Sequence, residues 1–437
     1  MKKFKEMLAL LMCMMMVLGC LAGCGSKEEP AAEEPAVTEE SGSEETSEAL
    51  PYEGVELVYW SMETEGTPGA EAINENVAAW EEKTGAKVEV VHYGTEVKDL
   101  IGAALAGGEK VDVFEGSSVI QLAANCAHML DLTTMIEASD IKEKSYDIFW
   151  KEIASASDDG KLYGVAFTPS FNSFWYNKAI FEECGITETP KTIEEFEVAC
   201  DEILAKGYQP IALDSAYVAT NMGPHMERFA GEAALSEASL NGGWSENEDI
   251  VAGLQSIIDW VNKGYFAAGA PDEYPNSQNK MGLTEDVAMC YCGIWLPGEV
   301  EDLTGADLEW GCFNFPSNPD GKGTYGTSLS NSYRGINANC ENPEAAWELI
   351  YFITTGDCEQ NYADKAVVIP ADPNCTPQPD FAEAIDLLKS TEKINYSGGM
   401  HTNADMKVAI NEIMTGVYAG KYADGMAAAK ALDALYN

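Results

Sequence analysis

The chain has 437 residues, which is room for two or three domains of ordinary size. Apolar residues make up 46% and aromatic residues 10%, so most of the chain can bury a core and global disorder is excluded. The 26 basic residues stand against 73 acidic ones, a formal net charge of −47, and only Arg228 and Arg334 are arginines. Because nucleic acids and anionic membrane surfaces are bound through Lys and Arg, this balance argues against both as direct partners.

The N-terminus carries three lysines within five residues and then an uncharged apolar run at 7–22. This run is shorter than the about 20 residues of a spanning helix, so residues 1–23 are predicted to be a secretory signal peptide. The run ends in Leu21-Ala22-Gly23-Cys24, which resembles the signal of bacterial lipoproteins. That resemblance implies lipidation of Cys24 and an exported protein anchored to the outer face of the cytoplasmic membrane by lipid only.

Residues 24–50 are predicted to form an acidic, disordered tether. From residue 25 onward they contain nine Glu and one Lys among mostly small residues, so they cannot offset their ordering entropy by burial. Without the first 50 residues the chain keeps 22 basic and 63 acidic residues, a charge of −41. The globular part is therefore itself acidic.

The first globular segment alternates strands and helices. A strand at 55–60 is followed by Ile73, Val77 and Trp80, which recur with the helical period, and Gly85 is a helix stop. Further elements are predicted in the order strand, helix, strand, at 88–90, 101–105 and 112–114. This alternation indicates a parallel sheet.

The rest of the chain is also α/β. A strand at 162–174 is predicted to be broken by Pro169, and Thr192 with Glu195 forms a capping box that starts a helix. A strand at 210–213 follows. Four more helices are predicted, at 248–263, 343–355 with Gly356 as its stop, 404–415 and 425–436.

Nine cysteines remain after Cys13, Cys20 and Cys24, an odd number without a C-x-x-C pair. They are predicted to be mostly free thiols that pack as small apolar residues. The four histidines are far apart in sequence and none falls at ligand spacing, so we expect no metal and no cofactor.

No catalytic motif stands out. The glycines of 102–110 approach the spacing of a phosphate loop, but the lysine is displaced and Val111 replaces the Ser or Thr that would bind Mg²⁺. H-E-x-x-H and G-x-S-x-G are both absent. Carboxylates are too numerous for any pair to indicate glycosidase chemistry.

Five stretches match a known family in order and spacing. The most specific runs from Gly160-Lys-Leu-Tyr-Gly-Val-Ala-Phe-Thr-Pro169 through Trp175-Tyr-Asn-Lys178 to Lys206-Gly-Tyr-Gln-Pro210, and the others lie at 55–60, 287–298, 315–323 and 342–347. On these stretches, residues 55–435 resemble a family 1 extracellular solute-binding protein, the maltose-binding-protein-like receptors of carbohydrate ABC importers.

The resemblance implies an α/β fold of the periplasmic-binding-protein type, with two lobes, three hinge crossings and a ligand cleft between the lobes. The N-terminal lobe would comprise 51–168 and 317–369, and the C-terminal lobe 173–313 and 376–437. The crossings are expected near 168–172, 313–316 and 369–375.

Trp295 is the leading candidate for ligand binding. Gly293-Ile-Trp-Leu-Pro matches the family's Gly-x-Trp element, whose indole stacks on a sugar ring, because the C–H face of a sugar is apolar while its edge is rich in hydroxyls. The resemblance places further ligand contacts at strand ends, crossings and lobe rims: Glu63, Glu65, Glu115, Ser118, Ser170, Asn172, Tyr217, Tyr333, Arg334, His401 and Asn403.

Two features bear on the ligand. The maltose-type receptors carry a glutamate where Ser170 stands, which argues against a maltose-like ligand. With two arginines in the chain, we expect a neutral sugar or oligosaccharide, and Arg334 either hydrogen-bonds its hydroxyls or pairs with a carboxylate.

We therefore predict a monomeric, lipid-anchored receptor that binds a carbohydrate by hinge closure and delivers it to the permease of an ABC importer, without catalysis. Two alternatives remain: a receptor of the same fold for a non-sugar such as a polyamine, and an exported polysaccharide-degrading enzyme.

Overall fold

The structure, a computed structural model, describes residues 50–323, 329–390 and 398–436. The predicted signal peptide, nearly all of the tether and Cys24 lie outside the described residues. Among the described residues, none of the helices combines the length and the apolar character needed to cross a bilayer. The strands are β1 (Glu56–Ser61), β2 (Lys87–His92), β3 (Val113–Gly116), β4 (Val165–Asn177), β5 (Gln209–Ala212), β6 (Val287–Gly293), β7 (Trp310–Phe313) and β8 (Leu329–Ile336).

The strands pair in the order β2-β1-β3-β8-β4-β6-β5, and β7 also pairs with β4. β1 is parallel to both β2 and β3, which confirms the parallel sheet predicted from the alternating elements. β8 is antiparallel to β3 and β4, and β6 is antiparallel to β4 but parallel to β5.

β4 belongs to two groups of strands. Its first half, through Phe171, pairs with β8, and its second half, from Asn172 on, pairs with β6 and β7. The predicted break at Pro169 is wrong, because the strand continues through this residue, which lies opposite Asn331. A register shift between Ala166 and Thr168 precedes the proline, and prolines are tolerated beside such irregularities.

The helices cover both groups of strands. In chain order they are α1 (Pro68–Thr84), α2 (Val97–Gly107), α3 (Val119–Asn125), α4 (Thr133–Glu137), α5 (Asp147–Ser155), α6 (Lys178–Glu183), α7 (Ile193–Ala205), α8 (Val218–Ala230), α9 (Glu232–Asn241), α10 (Glu248–Lys263), α11 (Lys280–Leu283), α12 (Leu296–Thr304), α13 (Pro343–Thr354), α14 (Gly356–Ala366), α15 (Ala382–Ser390), α16 (Lys407–Tyr418) and α17 (Gly425–Asp433).

Local signals explain the helix ends. The Thr192 and Glu195 capping box is present at the start of α7, and Gly85 ends α1 in the left-handed conformation. The helix predicted to stop at Gly356 ends at Thr354, and Gly356, with a φ of 59°, is also the first residue of α14. Its N–H donates to the buried Asp372 carboxylate over 3.2 Å, so this glycine begins a helix held by a side-chain acceptor.

Three apolar clusters form the core. The largest joins β1, β3 and the first half of β4 to α1, α2 and α13, a second lies among α8, α10, α16 and α17, and a third is an aromatic group around Phe174 and Phe313. Phe174 and Phe313 stack with their ring centroids 5.2 Å apart. The second half of β4 is thus fixed by aromatic packing as well as by its two neighbouring strands.

The segment 317–323 lies on the side of the second half of β4. Ser317 bonds to the backbone at Lys191, and the Lys322 N–H donates to the Phe229 carbonyl over 3.0 Å. These bonds tie 317–323 to the segment before α7 and to the end of α8. Further along the chain, Glu383 near the start of α15 accepts the Cys312 N–H over 2.8 Å.

Candidate ligand-binding site

Trp295 follows β6 and directly precedes α12. The strand ends at Gly293, whose missing side chain leaves room for the Trp295 indole, since a Cβ built there would overlap the ring. Leu296 anchors the first turn of α12 in the core, while 39% of Trp295 stays exposed. The turn therefore holds a large aromatic face toward solvent on a fixed backbone.

Two tyrosines complete an aromatic group around Trp295. The Trp295 Nε1–H donates to the Tyr217 hydroxyl over 3.2 Å, and Tyr217 meets the ring of Tyr274 edge-on with centroids 5.7 Å apart. Tyr274 is 41% exposed. Burial, followed by its bond to Glu299, raises the pKa of Tyr274 to about 12. Both tyrosines are therefore neutral hydroxyl groups at physiological pH.

A carboxylate borders these rings. Glu299, in the first turn of α12, accepts the Tyr274 hydroxyl at Oε1 over 3.0 Å and the Gln278 Nε2–H at Oε2 over 2.9 Å. Gln278 is fully buried, and its backbone N–H donates to the buried Asp214 carboxylate after β5 over 3.1 Å. The position of Glu299 thus depends on the end of β5. We call Trp295, Tyr217, Tyr274 and Glu299 the Trp295 cluster.

The predicted residues of the first crossing lie in β4. Asn172 is buried and pairs in register with Gly293, the residue beneath the Trp295 ring. Ser170 is half-buried in the half of β4 that pairs with β8. The structure therefore brings Asn172 next to the Trp295 cluster and leaves Ser170 two residues away along the strand.

Glu63 lies at the other group of strands, after β1. Its carboxylate accepts the Tyr362 hydroxyl over 2.8 Å and the Thr67 hydroxyl over 3.0 Å, and it lies against Gly69 in the first turn of α1. A negative charge is favourable at a helix N-terminus. Glu63 is half-buried and Glu65 is exposed, so this loop presents carboxylates to solvent.

Glu115 and Arg334 were expected to contact the ligand, with pairing to a carboxylate as the alternative for Arg334, and the structure shows this alternative. Both side chains are 1% exposed and form an ion pair of 3.2 Å, and Glu115 also accepts the Tyr59 hydroxyl. Arg334 further donates to Thr354 over 2.9 Å and lies over the Phe167 ring, 3.8 Å from its centroid. With their polar atoms engaged and buried, they hold β3 and β8 to α13 rather than meeting a ligand.

Two further candidates have structural roles. Tyr333 is fully buried with its ring edge-on to Phe114, and burial raises the pKa of its hydroxyl. Ser118 caps α3 by accepting the Gln121 N–H over 3.3 Å. Tyr333 is thus part of the core, and the Ser118 hydroxyl is engaged in the helix cap.

His401 and Asn403 lie on a segment that packs against α9. The Asn403 N–H donates to Ser239 over 3.1 Å, and Thr402 bonds to Ser236 over 3.0 Å. Burial and, to a lesser extent, Lys407 lower the pKa of His401 to about 4, so its imidazole is neutral at physiological pH. The recorded contacts tie this segment to α9 and not to Trp295.

Sequence reasoning missed Tyr274 and Glu299. Tyr274 sits between two prolines, Pro271 and Pro275, in an irregular segment that predicts only a loop. Glu299 lies four residues after Trp295 of the Gly-x-Trp element. This spacing puts two side chains on one helix face, so it is the signal in the sequence that could have identified Glu299.

A cavity of about 390 Å³ lies elsewhere, beside α2. It is lined by Trp60, Tyr93, Leu100, Ala103, Ala104, Gly107, Gly108 and Glu109. None of the candidate residues lines it, so the Trp295 cluster remains the candidate site. Among the described residues, no three His, Cys, Asp or Glu side chains are arranged to hold a metal ion.

Solved structures show the same fold. A chitin oligosaccharide binding protein superposes with a TM-score of 0.67 at 20% identity, covering 87% of this chain and 98% of its own. RafE of Streptococcus pneumoniae, in its complex with raffinose, has a TM-score of 0.64 at 19% identity and covers 88% and 99%. The predicted α/β fold with two lobes, three crossings and a cleft is confirmed by these likenesses.

Sequence comparisons agree. An ABC transporter extracellular-binding protein of Pyrococcus horikoshii is 23% identical over 235 residues, 52% of this chain and 51% of the relative. The chain spans about half the length of the curated relatives it matches. The model of the family described as bacterial extracellular solute-binding protein matches residues 64–356, more than half of the chain. This family consists of binding proteins rather than enzymes, and the chain belongs to it: it is a bacterial extracellular solute-binding protein.

Proposed function

We propose that the protein is the receptor of an ABC importer for a carbohydrate without acidic groups, bound at the Trp295 cluster. The observation that carries this proposal is the exposed indole of Trp295, held on a fixed turn with hydroxyl and carboxylate groups at its edge. The named ligands of two structural neighbours, a chitin oligosaccharide and raffinose, support a saccharide.

The chemistry of the cluster suits a sugar ring. The aromatic face accepts the apolar C–H face of the ring, while Tyr217 and Glu299 offer acceptors for hydroxyl groups at its edge. Asn172 pairs in register with Gly293 and so lies next to the cluster. Apolar surface with a few fixed polar groups is the usual composition of small-molecule sites.

The arginines argue against an acidic sugar. Arg334 is buried in its ion pair with Glu115, and Arg228 is buried beside Glu227 and the Phe315 carbonyl. Neither offers the bidentate fork that suits a carboxylate ligand. With a charge of −41 on residues 51–437, the long-range potential also repels anions.

The wider organisation stays part of the proposal. Residues 1–23 would direct export, Cys24 would carry the lipid anchor and residues 24–50 would tether a monomer beside its permease. The lobes would comprise 51–168 with 317–369 and 173–313 with 376–437. The hydrogen bonds of 317–323 to Lys191 and Phe229 support grouping that short segment with the second lobe instead. Ligand binding would close the hinge between them.

The Trp295→Ala variant tests the site. A thermal-shift screen against mono- and oligosaccharides first identifies a ligand, because a ligand at about 100 times its dissociation constant adds about 2.7 kcal/mol of stability. Calorimetry should then show affinity weakened about tenfold or more in the variant, since stacking contributes about 1 kcal/mol beyond the area it buries.

The matched control is Leu303→Ala, an exposed apolar residue on the same helix. It should bind as the parent does, and both variants should keep the parent's circular dichroism spectrum. A Trp295→Ala protein that binds its sugar as tightly as the parent would place the site elsewhere.

A further inference from the structure

The Trp295 cluster contains a negative charge that the protein does not neutralise. Both recorded donors to Glu299 are uncharged, the Tyr274 hydroxyl and the Gln278 amide. Among the residues the structure describes, no lysine or arginine forms an ion pair with Glu299. The first turn of α12 supplies only the partial charge of a helix N-terminus. Water is therefore the main compensation for this charge.

A bound ligand displaces that water. Trp295 and Tyr274 expose 39% and 41% of their surfaces, and Glu299 accepts the Tyr274 hydroxyl, so a sugar that covers the two rings also shields this carboxylate from solvent. A carboxylate removed from water loses hydration energy, and a hydrogen-bonded cation offsets more of that loss than a neutral donor does. A neutral sugar offers Glu299 only hydroxyl donors, whereas a cationic one also offers an opposite charge.

The rings themselves favour a cation. An ammonium group within about 6 Å of a tryptophan or tyrosine face is attracted by the ring quadrupole, more strongly where water is excluded. Among the described residues, no lysine or arginine lies over Trp295, Tyr217 or Tyr274. One cationic group can thus contact a ring face and pair with the Glu299 carboxylate. The acidic surface of the protein also raises the local concentration of cations.

We propose that the saccharide bound at the Trp295 cluster is an amino sugar whose protonated amine pairs with Glu299 while its ring stacks on Trp295. This inference rests on the proposed function and replaces the neutral sugar expected from the sequence. Glu299 is then the residue that selects among sugars, and Trp295 the residue that binds any of them.

The test uses probe sets that differ only in one substituent. Each set contains three sugars that carry a hydroxyl, an N-acetyl or a free amino group at carbon 2. The three monosaccharide sets are glucose, galactose and mannose, each with its two amino derivatives. The fourth set consists of the β-1,4-linked tetrasaccharides of glucose, N-acetylglucosamine and glucosamine. Spermidine and choline represent amines that are not sugars. Binding is measured by calorimetry at low salt, near pH 6 and near pH 9.

We expect the amino member of at least one set to bind about tenfold or more tightly than its hydroxyl and N-acetyl partners. The Glu299→Gln variant should not show this preference for the amino sugar. Its amide oxygen still accepts the Tyr274 hydroxyl, so the variant removes the charge and keeps the hydrogen bond. The preference should be kept by Asp302→Asn, an equal change of charge at an exposed residue of α12. Raising the pH to about 9 should weaken only the amino member, because its amine loses the proton.

Other results overturn the inference. The inference is wrong if a neutral or N-acetylated sugar binds at least as tightly as the amino sugar of its set, or if no amino sugar binds. It is also wrong if Glu299→Gln keeps the preference for the amino sugar. Binding of a neutral saccharide that depends on Trp295 would leave the proposed function standing. Binding of spermidine or choline with no saccharide bound would reject both.

Discussion

Gly293 is the residue on which the position of the Trp295 indole depends. It ends β6, lies opposite Asn172 in β4, and has the Trp295 ring where a side chain would otherwise be. At the residue scale, the absence of a side chain at Gly293 therefore sets the position of the indole. Gly293 and Trp295 are separated by a single residue in sequence.

We predict that Gly293→Ala weakens ligand binding about tenfold without touching the ligand, because the new methyl group displaces the indole. Calorimetry with the sugar found for the parent protein measures the loss. Gly298→Ala is the matched control, since a Cβ there meets no atom within 4 Å. Equal affinity of the Gly293→Ala protein and the parent would show that the ring does not hold the ligand in this position.

Glu152 links a helix to a strand by an unusual pair of groups. The Asn331 amide of β8 donates to one oxygen of Glu152 on α5, and both side chains are buried. The other carboxyl oxygen and the Asn331 carbonyl oxygen have no hydrogen-bond partner among the described residues. When Glu152 is protonated, its O–H donates to the Asn331 carbonyl oxygen, and this one bond satisfies both oxygens. Burial favours the protonated form and raises the pKa of Glu152 to about 8.

At the scale of elements, this pair makes the contact between α5 and β8 dependent on pH. The folded protein keeps the Glu152 proton up to about pH 8, whereas the unfolded chain loses it near pH 4.5. Stability is therefore highest below pH 4.5 as far as this group is concerned, and it falls as the pH rises to about 8, by about 1.4 kcal/mol per pH unit at most.

We predict that Glu152→Gln raises the free energy of unfolding at pH 8, because the amide makes both bonds to Asn331 without a proton. Urea unfolding at pH 5 and pH 8 measures the effect, and the gain over the parent should be larger at pH 8. Glu143→Gln, an exposed residue, is the control and should change neither value. A variant less stable than the parent at pH 8 would contradict the protonated pair.

The sequence predicted those elements whose signals are local. The capping box of α7 and the Gly85 stop of α1 are specified within a few residues, and the structure has both. Pro169 was misjudged because a proline's effect on a strand depends on how its partner strand lies. Here that partner is β8, far along the chain.

The same reason limits prediction of the site. Glu115 and Arg334 are 219 residues apart, and no local pattern shows that they form an ion pair. Trp295 was identified through a resemblance, and its bond to Tyr217 spans 78 residues. Buried partners brought together by tertiary structure decide whether a charged side chain binds a ligand or holds the fold.

At the scale of the molecule, the cysteines behave as part of the core. All nine cysteines of the described residues are free thiols, and five of them are buried: Cys184, Cys200, Cys290, Cys292 and Cys312. Burial also raises the pKa of the two thiols of Cys340 and Cys375, to about 11 and about 12. A thiol that keeps its proton is a poor nucleophile.

We predict that the nine thiols of the described residues react with an alkylating reagent after denaturation without reductant. In the folded protein at about pH 8 the five buried thiols should be protected. Mass spectrometry of peptides from both samples counts the labels. Three or four disulfides in the unreduced protein would contradict the free-thiol state.

The exposure of Trp295 also makes the protein its own optical reporter. All nine tryptophans lie in the described residues, and among them Trp295 alone has more than a third of its surface exposed. A hydrated indole emits at longer wavelength than a buried one, so the red edge of the emission spectrum comes mainly from this ring. A sugar that stacks on this ring as proposed should shift that edge to shorter wavelength, so binding can be followed by ultraviolet fluorescence without a dye.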